Sequence, residues 1–157
     1  MAYEFKMKRQ VQFAETDMAG IAHFTNFFRY MEETEHAFYR SLGFSVDMER
    51  ADKSLGFGWP RVKAECEYQH PLRFEDEFEV HLLVKEIKSK TISYAFVFRK
   101  HDGGKEIEVA RGAMTVICVT RDKETGKLKA AVIPAQIRVK LSVAPSELFG
   151  TGGGDAN

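Results

Sequence analysis

Apolar and polar residues alternate in several stretches of the chain, which is the pattern of β-strands with one buried face. The first such stretch holds Phe5, Met7, Val11 and Phe13. Further strands are predicted at residues 62–68, 78–84, 92–98 and 106–119, the last after a turn signal at 102–105. In this last strand the alternation changes phase around Gly112, so we expect a bulge or bend near Gly112, or a stretch buried on both faces.

The pattern changes between the first two strands, where apolar residues recur at steps of three and four. This predicts one long helix whose core face holds Phe24, Phe27, Phe28, Met31, Phe38 and Leu42. Charged residues, including Glu35, are expected mostly on the other faces. Gly43 can adopt the left-handed conformation that ends a helix. One helix followed by antiparallel strands with short turns is an α+β arrangement.

The remainder of the chain carries weaker signals. Residues 127–133 predict an extra strand, and residues 134–141 predict a short helix or an edge segment. Residues 145–157 are rich in glycine and poor in apolar side chains, which favours a disordered tail. At 157 residues the chain fits one domain, which we expect to span residues 1–144.

Composition excludes several classes of function. The 23 basic and 23 acidic side chains give a net charge of zero, so nothing draws the whole molecule to nucleic acid or to an anionic membrane. The chain shows neither a signal peptide nor a stretch of membrane-spanning length, and we expect a cytoplasmic protein. Cys66 and Cys118 lack the spacing of metal or redox sites and are expected to be reduced core residues, with no metal bound.

The junction between the first strand and the helix carries the candidate chemistry. Asp17 stands in a predicted tight turn shortly before the helix begins. Unpaired N–H groups and the positive end of the helix dipole can stabilise a developing negative charge there. Although an isolated aspartate in a turn most often bonds only the backbone, a carboxylate beside an oxyanion binder is what acyl transfer requires.

The same residues form a motif, Asp17-x-x-Gly20-x-x-His23-x-x-Asn26, that is followed directly by the helix. This motif resembles the entry motif of the 4-hydroxybenzoyl-CoA thioesterase family, which are acyl-CoA thioesterases of the hotdog fold. Weaker similarity extends from about Phe5 to about Leu141. The resemblance implies a curved antiparallel β-sheet wrapped around one long central helix.

The resemblance also implies catalytic roles. Asp17 would be the nucleophile or the general base, and the N–H of Phe24 would donate to the thioester carbonyl. For His23 we favour a positioning role over proton transfer. Asn26 is expected to be part of the helix cap. No cofactor or metal is required, because the charge stabilisation and the reactive group both belong to the chain.

Candidate substrate-binding residues lie in three places: Trp59-Pro60-Arg61, Lys88-Ser89-Lys90 and Lys129. A lysine pair at a hairpin turn is most often a solvated surface, but the resemblance implies that Lys88 and Lys90 grip the phosphates of coenzyme A. Lys129 is a weaker candidate of the same kind. Trp59 and Arg61 depart from the family in side chain, so only backbone contact to the ligand is implied there.

The sequence therefore predicts a thioesterase that hydrolyses an aryl- or fatty-acyl-CoA to the free acid and coenzyme A. An alternative is a binding protein that holds an acyl-CoA or an acyl carrier without turnover. Another is a hotdog dehydratase, which needs a histidine paired with a carboxylate across the pocket. The expected partner is the coenzyme A thioester, with no nucleic acid and no membrane, and the resemblance implies a homodimer or homotetramer.

Overall fold

The computed structural model describes residues 1–47 and 56–150. In these ranges eight strands form two antiparallel sheets, and one long helix packs on the larger sheet. The strands are β1 (Glu4–Gln10), β2 (Phe57–Gly58), β3 (Arg61–Tyr68), β4 (Glu77–Ile87), β5 (Thr91–Asp102), β6 (Lys105–Ile117), β7 (Val119–Arg121) and β8 (Leu128–Ala130). The helices are α1 (Asn26–Ser41) and α2 (Ala135–Arg138), with 3-10 helices at Phe13–Glu15 and Ser146–Phe149. The predicted α+β arrangement is confirmed.

The larger sheet has the strand order β1-β4-β5-β6-β3, with every neighbouring pair antiparallel. The predicted turn between β5 and β6 is confirmed, since Gly103 and Gly104 have φ angles of 58° and 81°, as a two-residue hairpin requires. β3 lies at the edge, and all its residues except Cys66 are exposed. One whole strand thus presents both faces and unpaired backbone groups to its surroundings.

Helix α1 buries one face against the larger sheet. Its buried residues are Phe27, Tyr30, Met31, Thr34, Glu35, Phe38 and Tyr39. After the helix, Gly43 has a φ of 85°, and the N–H groups of Gly43 and Phe44 donate to the carbonyls of Arg40 and Tyr39. These two bonds form a Schellman motif, so the predicted end of the helix is confirmed.

The predicted core face of the helix is wrong at two positions. Phe24 precedes the helix and has 57% of its surface exposed, whereas Glu35 is fully buried. β1 is also shorter than predicted, because bonds from the Glu15 and Thr16 N–H groups to the Gln12 and Phe13 carbonyls turn the chain away from the sheet. Phe13 consequently lies in a 3-10 helix and is exposed.

Gly112 is needed for packing rather than for a bulge. It pairs in continuous register with Phe96 on one side and Cys66 on the other, and its neighbours on β6 alternate between buried and half-buried. A Cβ at Gly112 would overlap the Sδ of Met31, so glycine permits the close approach of α1. The irregularity in the pairing lies three residues earlier, at Val109.

The second sheet, β2-β7-β8, confirms the extra strand predicted within residues 127–133, and α2 confirms a short helix within 134–141. Arg111 donates to the Phe149 carbonyl at 2.7 Å, so the beginning of the predicted tail makes a specific contact with β6. Residues 151–157 lie outside the described residues. The domain boundary at residue 144 stays a prediction.

Candidate active site

Asp17 lies in a tight loop between the first 3-10 helix and α1. Its N–H donates to the Ile21 carbonyl at 3.0 Å, and its carbonyl accepts the Gly20 N–H at 2.9 Å. Gly20 closes this loop with a φ of 75°. The carboxylate oxygen Oδ1 accepts the Ala19 N–H at 2.8 Å. Oδ2 accepts no hydrogen bond from the described residues, which leaves one oxygen available to a bound molecule.

Glu15 joins this loop to the start of α1. Its carbonyl accepts hydrogen bonds of 2.8 Å from the His23 N–H and from the side-chain amide of Asn26. Its carboxylate pairs with Arg9 at 2.7 Å, and Arg9 also pairs with Glu33 of the helix at 2.7 Å. Asn26 is therefore the first helical residue, bonded to the loop, and not the predicted cap. The loop is tied to the helix at several points.

The Phe24 N–H is an unpaired donor at the start of the helix. The turn ahead of α1 is already closed by bonds from the Asn26 N–H to the His23 carbonyl and from the Phe27 N–H to the Phe24 carbonyl. Within the described ranges the Phe24 N–H itself has no acceptor. Such a donor, at the positive end of a helix, has the free hydrogen-bonding capacity that oxyanion stabilisation requires.

His23 contacts its neighbours in the chain. Its Nδ1 lies 2.6 Å from the Thr25 hydroxyl, and the Thr25 N–H donates to the same nitrogen at 3.4 Å. These bonds assign Nδ1 as an acceptor, which places the proton of a neutral ring on Nε2. The imidazole ring packs 4.6 Å from the Phe24 ring. His23 thereby orients the residue that carries the candidate oxyanion donor.

A groove of about 470 Å³ opens beside Asp17. It is lined by Asp17, Ile21, Ala22, Phe24, Phe27, Tyr68, Gln69, His70, Pro71 and Leu72. The Tyr68 hydroxyl donates to the Phe24 carbonyl at 3.0 Å and so joins the two walls. Asp17 also lines a second cavity of about 600 Å³, next to Phe13 and Phe74. A polar cavity of similar size, about 630 Å³, contains none of the predicted site residues.

Large apolar side chains around Asp17 are exposed. They are Phe13, Met18, Phe24, Tyr68 and Phe74, which line the two cavities that Asp17 shares. Phe13 and Phe74 pack edge to face with ring centres 5.7 Å apart. A cluster of exposed apolar side chains of this kind is typical of a binding or association surface.

The predicted substrate-binding residues lie together elsewhere. The turn between β4 and β5 holds Lys88, Ser89 and Lys90, and the carbonyls of Ser89 and Lys90 accept the N–H groups of Ile133 and Cys118. These bonds join the turn to the segments that flank the second sheet, where Lys129 lies on β8. All these lysines are exposed, and only Lys88 makes an ion pair with a described residue, Glu86, at 3.3 Å.

The segment Trp59–Arg61 adjoins this turn. Its middle residue, Pro60, is exposed, and the Pro60 carbonyl accepts the Ile117 N–H at 3.0 Å. Trp59 is buried, with its ring 5.6 Å from that of Tyr39 on α1. We call this group, comprising Trp59, Pro60, Arg61, Lys88, Ser89, Lys90 and Lys129, the lysine end of the sheet.

Strand β3 separates the lysine end from Asp17. It begins at Arg61, whereas Tyr68 at its other end lines the groove beside Asp17. A strand of this length spans about 23 Å, at roughly 3.3 Å per residue. Asp17, His23 and Phe24, which we call the Asp17 end, therefore lie together, but a single chain does not bring them to the lysine end.

Glu35 is a candidate functional residue that the pattern analysis missed. Its Oε2 lies 2.5 Å from Nη2 of Arg61, while Oε1 is buried without a partner in the described residues. Burial raises the pKa of Glu35 to about 7, although the positive charge of Arg61 acts in the opposite direction. The spacing from Met31 to Glu35 to Tyr39 was the available signal, because residues four apart share a helix face.

Residues 1–47 and 56–150 were compared with the side-chain clusters that bind metal ions and with helices of membrane-spanning length. No group of three or more His, Cys, Asp or Glu side chains there could hold a metal ion, and no helix there has the length and apolar character of a membrane span. Cys66 and Cys118 are free thiols, and burial raises the pKa of both to about 11. Both thiols are therefore protonated at neutral pH.

Known proteins are similar to this chain in sequence and in fold. The family described as the thioesterase-like superfamily matches residues 11–141. A protein of Aquifex aeolicus (strain VF5) that carries an esterase name is 39% identical over 118 residues, or 75% of this chain and 86% of that protein. A 1,4-dihydroxy-2-naphthoyl-CoA hydrolase of Prochlorococcus marinus (strain NATL2A) is 30% identical over 100 residues, or 60% of this chain and 64% of that protein.

The likeness extends to a solved structure. The 4-hydroxybenzoyl-CoA thioesterase from Pseudomonas sp. strain CBS-3 superposes with a TM-score of 0.77. It is 20% identical in sequence, and the match covers 88% of this chain and 99% of that one. The two chains share a fold.

Proposed function

Because the chain belongs to the thioesterase-like superfamily and is a thioester hydrolase of hotdog fold, we propose that Asp17 is its reactive carboxylate and the Phe24 N–H its oxyanion donor. Acyl-CoA thioesterase activity is that of the family, and the resemblance seen in the sequence motif is confirmed. One observation carries the assignment of residues: a carboxylate oxygen and a backbone N–H, both without a partner among residues 1–47 and 56–150, belong to residues that line one groove.

In the proposed reaction the thioester carbonyl oxygen accepts a hydrogen bond from the Phe24 N–H. The negative charge that develops on this oxygen is stabilised by that bond and by the helix dipole. His23 is a positioning residue in this scheme, since its contacts are to Thr25 and Phe24.

Asp17 has two possible roles, and both balance chemically. As a nucleophile, Oδ2 bonds the carbonyl carbon while the C–S bond breaks, which gives a mixed anhydride and coenzyme A thiolate; water then hydrolyses the anhydride. As a general base, the carboxylate removes a proton from the water that attacks the carbonyl, and the thiolate leaves. Both routes end in the free acid and coenzyme A.

We assign the phosphates of coenzyme A to the lysine end. Lys88, Lys90 and Lys129 are exposed cations on adjoining segments, and such side chains attract phosphate as point charges. The backbone of Trp59 and Pro60 borders the same region through the bond from Ile117 to Pro60. Within one chain the length of β3, about 23 Å, lies between these lysines and Asp17.

Two subunits resolve this separation. Among the described residues β3 has a strand partner on one side only, and two copies of its free edge can pair antiparallel about a twofold axis. In that arrangement the Tyr68 end of one β3 lies beside the Arg61 end of the other. Each Asp17 then faces the lysine end of the partner subunit. We therefore propose a homodimer with two composite sites, which further association can double to a homotetramer.

For the acyl group we favour an aromatic acid over a fatty chain. The groove beside Asp17 is bordered by Phe24, Phe27 and Tyr68, with the Phe27 and Tyr68 rings edge to face at 5.0 Å. The relative from Prochlorococcus marinus is named for an aromatic acyl-CoA. Aromatic side chains packed in this way suit a flat ring, since edge and face contacts between rings are favourable.

A substrate panel tests this function. Purified protein is assayed with aryl-, short-chain and long-chain acyl-CoA, and the thiol released is measured. We expect the highest kcat/KM on aryl-CoA thioesters and a loss of turnover in the Asp17→Asn protein. If the wild-type protein binds acyl-CoA but releases no thiol from any member of the panel, the function is binding without turnover and the proposal fails.

A further inference from the structure

Glu35 is a buried carboxylate that the catalytic scheme does not use. It lies midway along α1 with none of its surface exposed. Oε2 accepts the bond from Arg61 at 2.5 Å, whereas Oε1 has no partner in the described residues. A buried ion pair with one unsatisfied oxygen contributes little to stability, because desolvation offsets the attraction between the charges. Its position therefore calls for a role other than stabilising the core.

Arg61 connects this carboxylate to the segment that precedes β3. While Nη2 donates to Glu35, Nη1 of the same guanidinium donates to the Trp59 carbonyl at 3.3 Å. The Trp59 ring packs on Tyr39, which lies one helical turn beyond Glu35. The segment Trp59–Arg61 is thus attached to α1 at two points on one face, through a guanidinium fork and through a ring contact.

The groups around Glu35 are mostly titratable. Helix α1 contributes four of these groups, which are Glu32, His36, Tyr39 and Arg40. Strand β3 contributes Arg61. Tyr94 of β5 and Cys118 lie near Tyr39. Arg61 lies 3.9 Å from Glu32 and 3.5 Å from His36. Burial lowers the pKa of His36, whereas burial raises the pKa of Glu35.

We propose that Glu35 is a positioning residue whose carboxylate, through Arg61, holds the Trp59–Arg61 segment in the conformation that binds the substrate. This inference rests on the proposed function, which places that segment against the coenzyme A thioester. Protonation of Glu35 removes the charge that holds Arg61 and loosens the segment. Binding is therefore tight above neutral pH and weaker below it, while the chemistry at Asp17 is unaffected.

Trp59 allows a direct test, because it is the only tryptophan in the chain. Its emission is recorded on the wild-type protein from about pH 5 to about pH 9, and we expect a transition near pH 7, where burial places the pKa of Glu35. The transition should be absent in Glu35→Gln and retained in the matched control His36→Gln. A wild-type emission that does not change over this range, or a transition that persists in Glu35→Gln, overturns the proposal.

A second variant covers the case in which Glu35→Gln does not fold. Arg61→Lys keeps the positive charge beside Glu35 but cannot donate to Glu35 and to the Trp59 carbonyl through one planar fork. Its emission above neutral pH should match that of the wild-type protein at about pH 5.5, where Glu35 is protonated. Wild-type emission in folded Arg61→Lys at high pH contradicts the proposed link.

Kinetics then separate this proposal from the function on which it rests. For Glu35→Gln at about pH 8.5 we expect KM to rise about three- to tenfold, with kcat little changed. A rise of this size corresponds to the net free energy of about one hydrogen bond. The difference in KM should vanish at about pH 5.5. An emission transition with unchanged KM removes the segment from the substrate site and overturns the proposal. Full turnover in Asp17→Asn refutes the catalytic assignment and leaves the fluorescence result standing.

Discussion

The Asp17 end and the lysine end of the sheet are built in different ways. At the Asp17 end the loop is closed by backbone bonds, and Arg9 pairs with both Glu15 of the loop and Glu33 of the helix. At the lysine end Lys88, Lys90 and Lys129 project from a turn and a short strand, and of these three only Lys88 pairs with a described residue, Glu86. The difference matches the two tasks, since bond making needs fixed geometry whereas phosphate binding needs charge.

The largest effect should come from the Asp17 end. Asp17→Asn keeps the size of the side chain and an oxygen for the Ala19 N–H, but removes the charge that attack or base catalysis needs. We expect kcat to fall at least about 100-fold, as for the loss of a positioned acid or base, with little change in substrate affinity. Steady-state thiol release measures this. Asp102→Asn, at the end of β5, is the matched control and should retain wild-type turnover.

The pair of Glu35 and Arg61, which joins the lysine end to α1, should show its effect in the free energy of unfolding. The pKa of Glu35 is about 7 in the folded protein and 4.5 in the unfolded chain. Between these two pH values the folded state therefore binds a proton that the unfolded state has lost. This proton stabilises the fold, and its contribution to stability is lost as pH rises through about 7. The difference in the pKa of Glu35 between the two states corresponds to a free energy on the order of 3 kcal/mol. We expect the free energy of unfolding of wild type, relative to Glu35→Gln, to fall by about that amount from pH 4.5 to above pH 7.

Urea denaturation at fixed protein concentration checks this difference. Because both proteins carry the same other titratable groups, their contributions cancel in the comparison. A difference that does not depend on pH would show that Glu35 loses its proton at the same pH in the folded and the unfolded states.

The lysine end should affect binding and not chemistry. For the double variant Lys88→Ala, Lys90→Ala we expect KM for acyl-CoA to rise about tenfold, because two charges near phosphate are lost. KM for a truncated thioester without the nucleotide should not change, and the effect should shrink as salt rises. Lys6→Ala, Lys8→Ala on β1 removes the same charge at the same spacing and serves as the control. An equal loss for both substrates would mean that the lysines support structure.

The smallest effect tests how the Asp17 end is fixed. Glu15→Gln keeps an oxygen for the Gln12 N–H but loses the charge that pairs with Arg9. Since ion pairs near the surface are worth up to about 1 kcal/mol, kcat should fall about two- to fivefold. Glu33→Gln removes the more exposed partner of Arg9 and should change kcat less. No change in either variant would mean that the backbone bonds alone position Asp17.

Local features of this molecule could be predicted from the sequence. The helix end at Gly43 and the turn at Gly103-Gly104 depend on residues close in the chain, and so does the loop that holds Asp17 ahead of the helix. Glu35 was placed on the wrong face despite its spacing from Met31 and Tyr39, because a charged residue counts as solvent-facing in a periodicity argument. Its partner, Arg61, is distant in sequence and meets it only through the packing of β3 on α1.

The distance between the two ends could not be obtained from the sequence for a similar reason. The resemblance assigned Asp17 and Lys88 to one site, and nothing in their spacing shows how far apart they lie. The distance follows from the register that runs from β3 through β6 to β5, which pairs Arg61 with Val116 and Val116 with Ile92. Those pairings are set by long-range contacts between strands, which a residue pattern along the chain does not report.

In the proposed homodimer, Asp17 of one subunit and the lysine end of its partner form one site. Chains carrying Asp17→Asn are mixed with chains carrying Lys88→Ala, Lys90→Ala, heterodimers are purified through two different affinity tags, and thiol release is measured at low acyl-CoA. Each heterodimer then has one site in which both Asp17 and the lysine pair are intact, so we expect about half of wild-type activity. Activity no higher than the mean of the two parent homodimers, in confirmed heterodimers, would contradict it.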